Sequence, residues 1–152
     1  MNTIFYEDID IGRIFLGGTV IADEGEMIEY AERFDPWPMH TDPDYPAKGP
    51  LGGFVASGGY AISLWYLAGH AEGAELKETA FLGGFDWQVQ FTKPVRPGMV
   101  MHGRSEVIDR RLSSKPGRGH ITLQSDLLDD NDDPVLRILV KGLVATRPEG
   151  ND

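Results

Sequence analysis

Residues 57–68, Ser-Gly-Gly-Tyr-Ala-Ile-Ser-Leu-Trp-Tyr-Leu-Ala, constrain the chain more than any other stretch. Read as a helix ending at Gly69, the segment is apolar nearly all round, so it predicts a buried helix rather than one with a watered face. Such a helix has to be enclosed, and the rest of the chain offers strands to do it. Phe85, Trp87, Val89 and Phe91 alternate with Asp86, Gln88 and Gln90, the period of a half-buried strand. Residues 99–111, 120–128 and 135–146 read as three more strands. They are separated by a break at Pro94 and Pro97-Gly98 and by turns at 113–119 and 129–134. Connections this short predict antiparallel pairing in a meander, because a parallel pair needs a crossover of a dozen or more residues.

Upstream, residues 14–22 favour a strand and stop at Asp23. Asp23 and Glu26 have the spacing of a capping box, and the helix they begin places Met27, Ala31 and Phe34 on one face. Pro36 ends that helix near Asp35. Residues 35–55 then form a loop rich in Pro and Gly, of a length usually tied to function. The expectation is one α+β domain over residues 1–152, an antiparallel sheet curled about a central helix. That geometry is the hotdog fold.

Charge and composition remove several classes of function. With 14 Lys and Arg against 24 Asp and Glu, the formal net charge of −10 argues against nucleic acid or an anionic membrane as the main partner. An anionic ligand remains possible at a local cation or a helix N-terminus. The absence of cysteine excludes disulfides, thiolate metal sites and cysteine nucleophiles. The first residues lack the basic and apolar regions of a signal peptide, and no apolar run reaches the ~18 residues of a spanning helix. A cytoplasmic protein is expected.

The chemistry concentrates in Asp35-Pro-Trp-Pro-Met-His40 and in the glycine-rich helix start at Gly58. A carboxylate and an imidazole can move a proton or a water, and backbone N–H groups at a helix start can hold a developing oxyanion. Fully extended, five residues span ~17 Å, so the loop must curl for the pair to share one water. The two prolines and Trp37 are candidates to fix that curl. Trp37 and Trp87 read as packing residues and Ser57 as an N-cap. His40-Thr-Asp42-Pro-Asp44 lacks paired-histidine spacing for a metal, and Asp129-Asp-Asn-Asp-Asp133 lacks the glycine and glutamate of a calcium loop. No metal and no cofactor is expected. His70, His102 and His120 read as surface residues. Arg96, Arg104, Arg110, Arg111, Lys115 and Arg118 form a cationic group, equally readable as phosphate contacts or as a solvated strand end.

Three segments carry a resemblance. Tyr30-Ala-Glu-Arg-Phe-Asp35-Pro-Trp-Pro-Met-His40-Thr-Asp-Pro resembles the hydratase motif of MaoC-like dehydratases, which include the R-specific enoyl-CoA hydratases. Gly52-Gly-Phe-Val-Ala-Ser-Gly58 resembles the start of their central helix. Phe91-Thr-Lys-Pro-Val-Arg-Pro-Gly98 resembles their Pro-Val-Arg-Pro-Gly-Asp turn, with Met99 in place of Asp. The likeness runs in order over residues 6–144. Ser57 stands where many members carry His, and Gly59-Tyr60 where a subgroup carries Trp-His.

The resemblance implies that Asp35 and His40 activate the water added across a 2-enoyl thioester. It also implies that the Gly58 N–H polarises the thioester carbonyl and that Ser63 lies close to the catalytic Asp. Leu51, Phe54, Tyr60 and Leu64 are expected to shape the acyl pocket. The expected function is a hydratase/dehydratase of 2-enoyl or 3-hydroxyacyl thioesters, carried by coenzyme A or acyl carrier protein. A homodimer paired edge to edge is expected. The alternatives are a hotdog acyl-CoA thioesterase and a catalytically silent acyl-CoA-binding subunit.

Overall fold

A computed structural model of the chain describes residues 2–150. In chain order its elements are β1 (Ile14–Ile21), α1 (Glu24–Phe34), α2 (Pro38–Thr41), α3 (Gly58–Gly69), β2 (Phe81–Phe91), β3 (Val100–Leu112), β4 (Arg118–Leu128) and β5 (Pro134–Ala145). The five strands form one antiparallel sheet wrapped on α3, in the order β1-β3-β4-β5-β2. This is the hotdog fold, α+β as the sequence predicts. Among the described residues, no helix is long and apolar enough to cross a membrane.

The strand order corrects the expected meander. β2 pairs with β5 at the far edge and not with β3, its successor in sequence. Three strand spacings separate them, about 14 Å. The connection at residues 92–99 reaches up to roughly 26 Å when extended, so it can cross the end of the sheet. It is tied down on the way: Ala56 N–H donates to the Val95 carbonyl, and Gly98 N–H to that of Ala22.

The inner face of the sheet carries Met101, Val107, Ile121, Leu123, Leu127, Leu136, Ile138 and Val140, all buried. Against it α3 buries Tyr60, Ala61, Leu64 and Ala68. The helix is not enclosed all round, as its composition suggested: Tyr66 and Leu67 remain 47% and 60% exposed. A five-stranded sheet covers one side of a helix and leaves the other open. Where α3 approaches closest, the sheet has no side chains. A Cβ at Gly17 would lie 2.8 Å from the Ala68 carbonyl oxygen and 2.9 Å from Gly103 Cα.

The capping box of α1 forms only in part. Asp23 accepts from Glu26 N–H at 2.9 Å, but Glu26 does not reach back to the Asp23 N–H. The Tyr60 hydroxyl stands between them, accepting from Asp23 N–H at 3.2 Å and donating to Glu26 at 2.8 Å. Burial foremost, with Glu26 beside it, pushes the Tyr60 hydroxyl up to about 12. The box is thus relayed through α3 and fixes α1 to it. Met27 and Ala31 are buried as expected, whereas Phe34 is 61% exposed, its ring against Tyr30 and under the Arg33 guanidinium.

Candidate active site

Pro36 ends α1, so Asp35 falls at the helix C-cap, where its own N–H donates to Ala31. The loop then curls at once. Trp37 N–H donates back to the Asp35 carbonyl, and Pro38 at the first helical position opens the single turn α2, which carries His40. This turn brings His40 Nε2 to 3.6 Å from Asp35 Oδ2. Trp37 itself is 62% exposed, so its expected packing role is corrected: the curl comes from backbone bonds and the prolines.

Each member of the pair has its own anchor. His40 is buried and its Nδ1 lies 2.8 Å from the Val55 carbonyl. A carbonyl can only accept, so Nδ1 carries the hydrogen and the neutral ring leaves Nε2 as a lone pair toward Asp35. Asp35 Oδ2 accepts from the Ser57 hydroxyl at 2.7 Å. At 3.6 Å the two groups are not hydrogen-bonded to each other, and both face the gap between them. Asp35 keeps part of its side chain open to solvent while His40 is enclosed.

Ser57 corrects two expectations. It occupies the N-cap position of α3, but its side chain makes no cap bond and goes to Asp35 instead. The serine expected beside the carboxylate is therefore Ser57, not Ser63. Ser63 is exposed, and its hydroxyl donates one turn back to the Gly59 carbonyl. The signal was present in the sequence as Ser directly before Gly58, hidden by the local preference of Ser for caps. Gly58 is the first residue of α3, where its N–H has no carbonyl four residues back to meet. A Cβ there would press on the Phe91 ring at 2.8 Å.

The loop that supplies Val55 is held by Arg96, whose guanidinium donates to the carbonyls of Phe54, at 3.2 Å, and Leu51. Arg96 is thus committed to the loop, as Arg110 is to Asp10 and the Tyr6 ring. At the β4–β5 turn, Asp129 accepts from the N–H groups of Asn131 and Asp133 and from Lys93. The Lys93 ammonium beside Asp129 holds that carboxyl below its ordinary value.

The structure places the residues expected to shape an acyl pocket mostly in the core. Phe54, Tyr60 and Leu64 are packed into the core, and Leu51 lies on the loop surface. None of them lines the cavity beside α3. That cavity, of about 330 Å³, lies between the later turns of α3 and the sheet and is lined by Trp65, Tyr66, Phe15 and Trp87 among others. Helical spacing explains the shift, since Tyr60, Leu64 and Ala68 share the stripe that is fully buried, while Trp65 and Tyr66 are rotated off it.

Residues 13–126 match the sequence pattern of the family described as MaoC like domain. An uncharacterized protein of Bacillus subtilis (strain 168), YdeM, is 25% identical over 122 residues, which are 80% of this chain and 83% of that protein. The MaoC-like dehydratase of Rhodospirillum rubrum superimposes with a TM-score of 0.84 at 25% identity, covering 96% of this chain and 99% of that one. The R-hydratase PhaJ1 of Pseudomonas aeruginosa superimposes at 0.66 with 20% identity, over 96% of this chain and 88% of that one, a likeness of fold.

The histidine geometry has a direct readout. Nitrogen NMR of neutral His40 is expected to show a protonated Nδ1 and an unprotonated Nε2, with the Nδ1 proton slow to exchange. The opposite tautomer would contradict the Val55 contact.

Proposed function

The chain belongs to the MaoC like domain family, and from that premise we propose that it is a hydratase/dehydratase of 2-enoyl and 3-hydroxyacyl thioesters. The observation that carries the reading is the Asp35–His40 pair, held 3.6 Å apart at the start of α3. The R-hydratase among its structural neighbours supports the same chemistry. Coenzyme A or acyl carrier protein is the carrier.

In the hydration direction, one water sits between His40 Nε2 and Asp35. The pair removes a proton from it as the oxygen bonds to the β-carbon of the enoyl group. The π electrons move toward the thioester carbonyl, whose oxygen takes the developing negative charge and accepts from Gly58 N–H. A proton returned to the α-carbon completes the addition, so that OH and H are added across the double bond and nothing is left over. The roles of base and acid belong to the pair together. Ser57 holds the Asp35 carboxylate, and Val55 fixes the ring that faces it.

Adding water to the β-carbon requires proton delivery to the α-carbon, which an acid/base pair supplies and hydrolysis does not need. Purified protein with 2-enoyl-CoA is expected to lose enoyl absorbance without releasing thiol. Thiol release would assign the pair to a thioesterase, and binding without either change would make the chain a silent subunit. Asp35→Asn and His40→Ala should each lower turnover by roughly a hundred- to ten-thousandfold. The double variant should be scarcely slower than the slower single one, because the groups act together. Near-normal turnover in either folded single variant would place the site elsewhere.

Gly58 is tested by a pair of substitutions. Gly58→Pro removes the N–H at a position that tolerates proline, after a Ser57 already at φ −59° and ψ 144°. Gly58→Ala adds a Cβ against Phe91 but keeps the donor. Loss of one oxyanion donor costs about a hundredfold or more in rate, so the proline variant should fall well below the alanine variant in turnover. Equal rates would remove Gly58 from the mechanism.

The acting species is proposed to be a homodimer. β2 is an edge strand with a free row of backbone groups, and Leu82, Phe85 and Phe91 on it are each more than half exposed. Pairing β2 with its copy would close that edge. Light scattering at micromolar concentration should give twice the chain mass; a monomer would refute the pairing.

A further inference from the structure

The cavity beside α3 has a polar floor. Its walls are mostly apolar, with Phe15, Leu76, Phe81, Trp87 and Val140 contributing, although Lys77, Arg104 and Asp126 also border it. At the floor, Trp65 Nε1–H donates to Ser125 Oγ at 2.7 Å, and Ser125 Oγ lies 2.6 Å from Ser105 Oγ. Both serines are buried, 2% and 5% exposed, on the inner face of the sheet among Val, Leu, Ile and Met. One serine satisfies the indole N–H. The second is surplus to that need, and burying a hydroxyl has a cost.

Proton counting gives the surplus a direction. Two hydroxyls carry two hydrogens, and only one is used between them. If Ser125 donates to Ser105, the Ser105 hydrogen is left over. If Ser105 donates, Ser125 has accepted twice and its own hydrogen is left over. No further hydrogen bond to either hydroxyl is present among the described residues. One O–H donor therefore remains at the floor of a mostly apolar cavity in either arrangement.

We propose that this cavity receives the distal part of the acyl group, and that the Ser105–Ser125 pair selects acyl groups carrying a hydrogen-bond-accepting oxygen there. The proposal rests on the thioester reading above. α3 connects the two places, since its first residue is Gly58 and its later turns line the cavity. Trp65 is two turns beyond Gly58, about 10 Å along the helix axis. An acceptor held by the serines thus belongs to a medium-length acyl chain, several carbons from the thioester. A cavity of about 330 Å³ falls at the small end of the ~300–1,000 Å³ common for ligand sites, suited to a chain end and not to a second whole ligand.

The test uses saturated thioesters, which cannot be hydrated, so that binding is read apart from chemistry. Octanoyl-CoA is compared with its keto analogues oxygenated at the sixth or seventh carbon, by calorimetry and by the fluorescence of the cavity tryptophans. One keto analogue is expected to bind roughly three- to tenfold tighter, the worth of one neutral hydrogen bond. The triple variant Trp65→Phe/Ser105→Ala/Ser125→Ala removes the whole polar set without orphaning any member and should abolish the preference. Equal affinities in the wild-type protein, no binding of either compound, or a preference that survives in the triple variant would overturn the proposal. If the triple variant does not fold, the wild-type comparison still decides. Hydration of crotonyl-CoA by the wild-type protein tests the reaction separately. Discrimination without hydration would sink the hydratase reading and leave the cavity assignment standing, and hydration without discrimination would do the reverse.

Discussion

The seating of α3 in the sheet is the contact on which the rest of the molecule depends. Gly17 and Gly103 leave bare backbone where Ala68 comes down, so the depth of the helix is set by main chain and not by flexible side chains. That depth places the helix start where the loop before it and the β2–β3 connection cross. Ala56 is bonded to Val95 there, and Arg96 holds the carbonyls of Leu51 and Phe54. Val55 then presents its carbonyl to His40, and Ser57 its hydroxyl to Asp35. Displacements of about 1 Å at a reacting pair can cost on the order of a hundredfold in rate. Rigid main-chain seating nearly three turns along the helix limits displacement of its start.

The sequence made legible what is encoded locally. The strand at Phe81–Phe91, the N-cap at Asp23, the end of α1 before Pro36 and the closeness of Asp35 to His40 all depend on neighbours a few residues apart and are found in the structure, but the expected half-buried alternation within β2 is not, since Phe85 and Phe91 are more than half exposed. What was missed depends on partners far away. β2 reads as the neighbour of β3 because nothing in its own residues tells of β5. Ser57 reads as a cap because the partner that draws its hydroxyl off is 22 residues back. Tyr60 reads as a pocket wall because the Asp23–Glu26 pair that takes its hydroxyl lies on another helix. Ser105 and Ser125 went unnoticed, since the strand pairing that sets them side by side is invisible in either strand alone.

Two features of the pair follow from the way it is anchored. A carboxylate and an imidazole this close would often bond directly, and the imidazole donor and a carboxylate lone pair would then be spent on each other. Here the imidazole gives its one hydrogen to a backbone carbonyl, and the carboxylate takes one from a serine. Neither anchor gains or loses a proton in the working range, so the orientation of both groups is held. The gap of 3.6 Å leaves Nε2 and the carboxylate facing one another with lone pairs still available. Under the proposed hydration, such an arrangement would leave both groups free to exchange protons with a water, because a group locked in a direct bond would first have to break it.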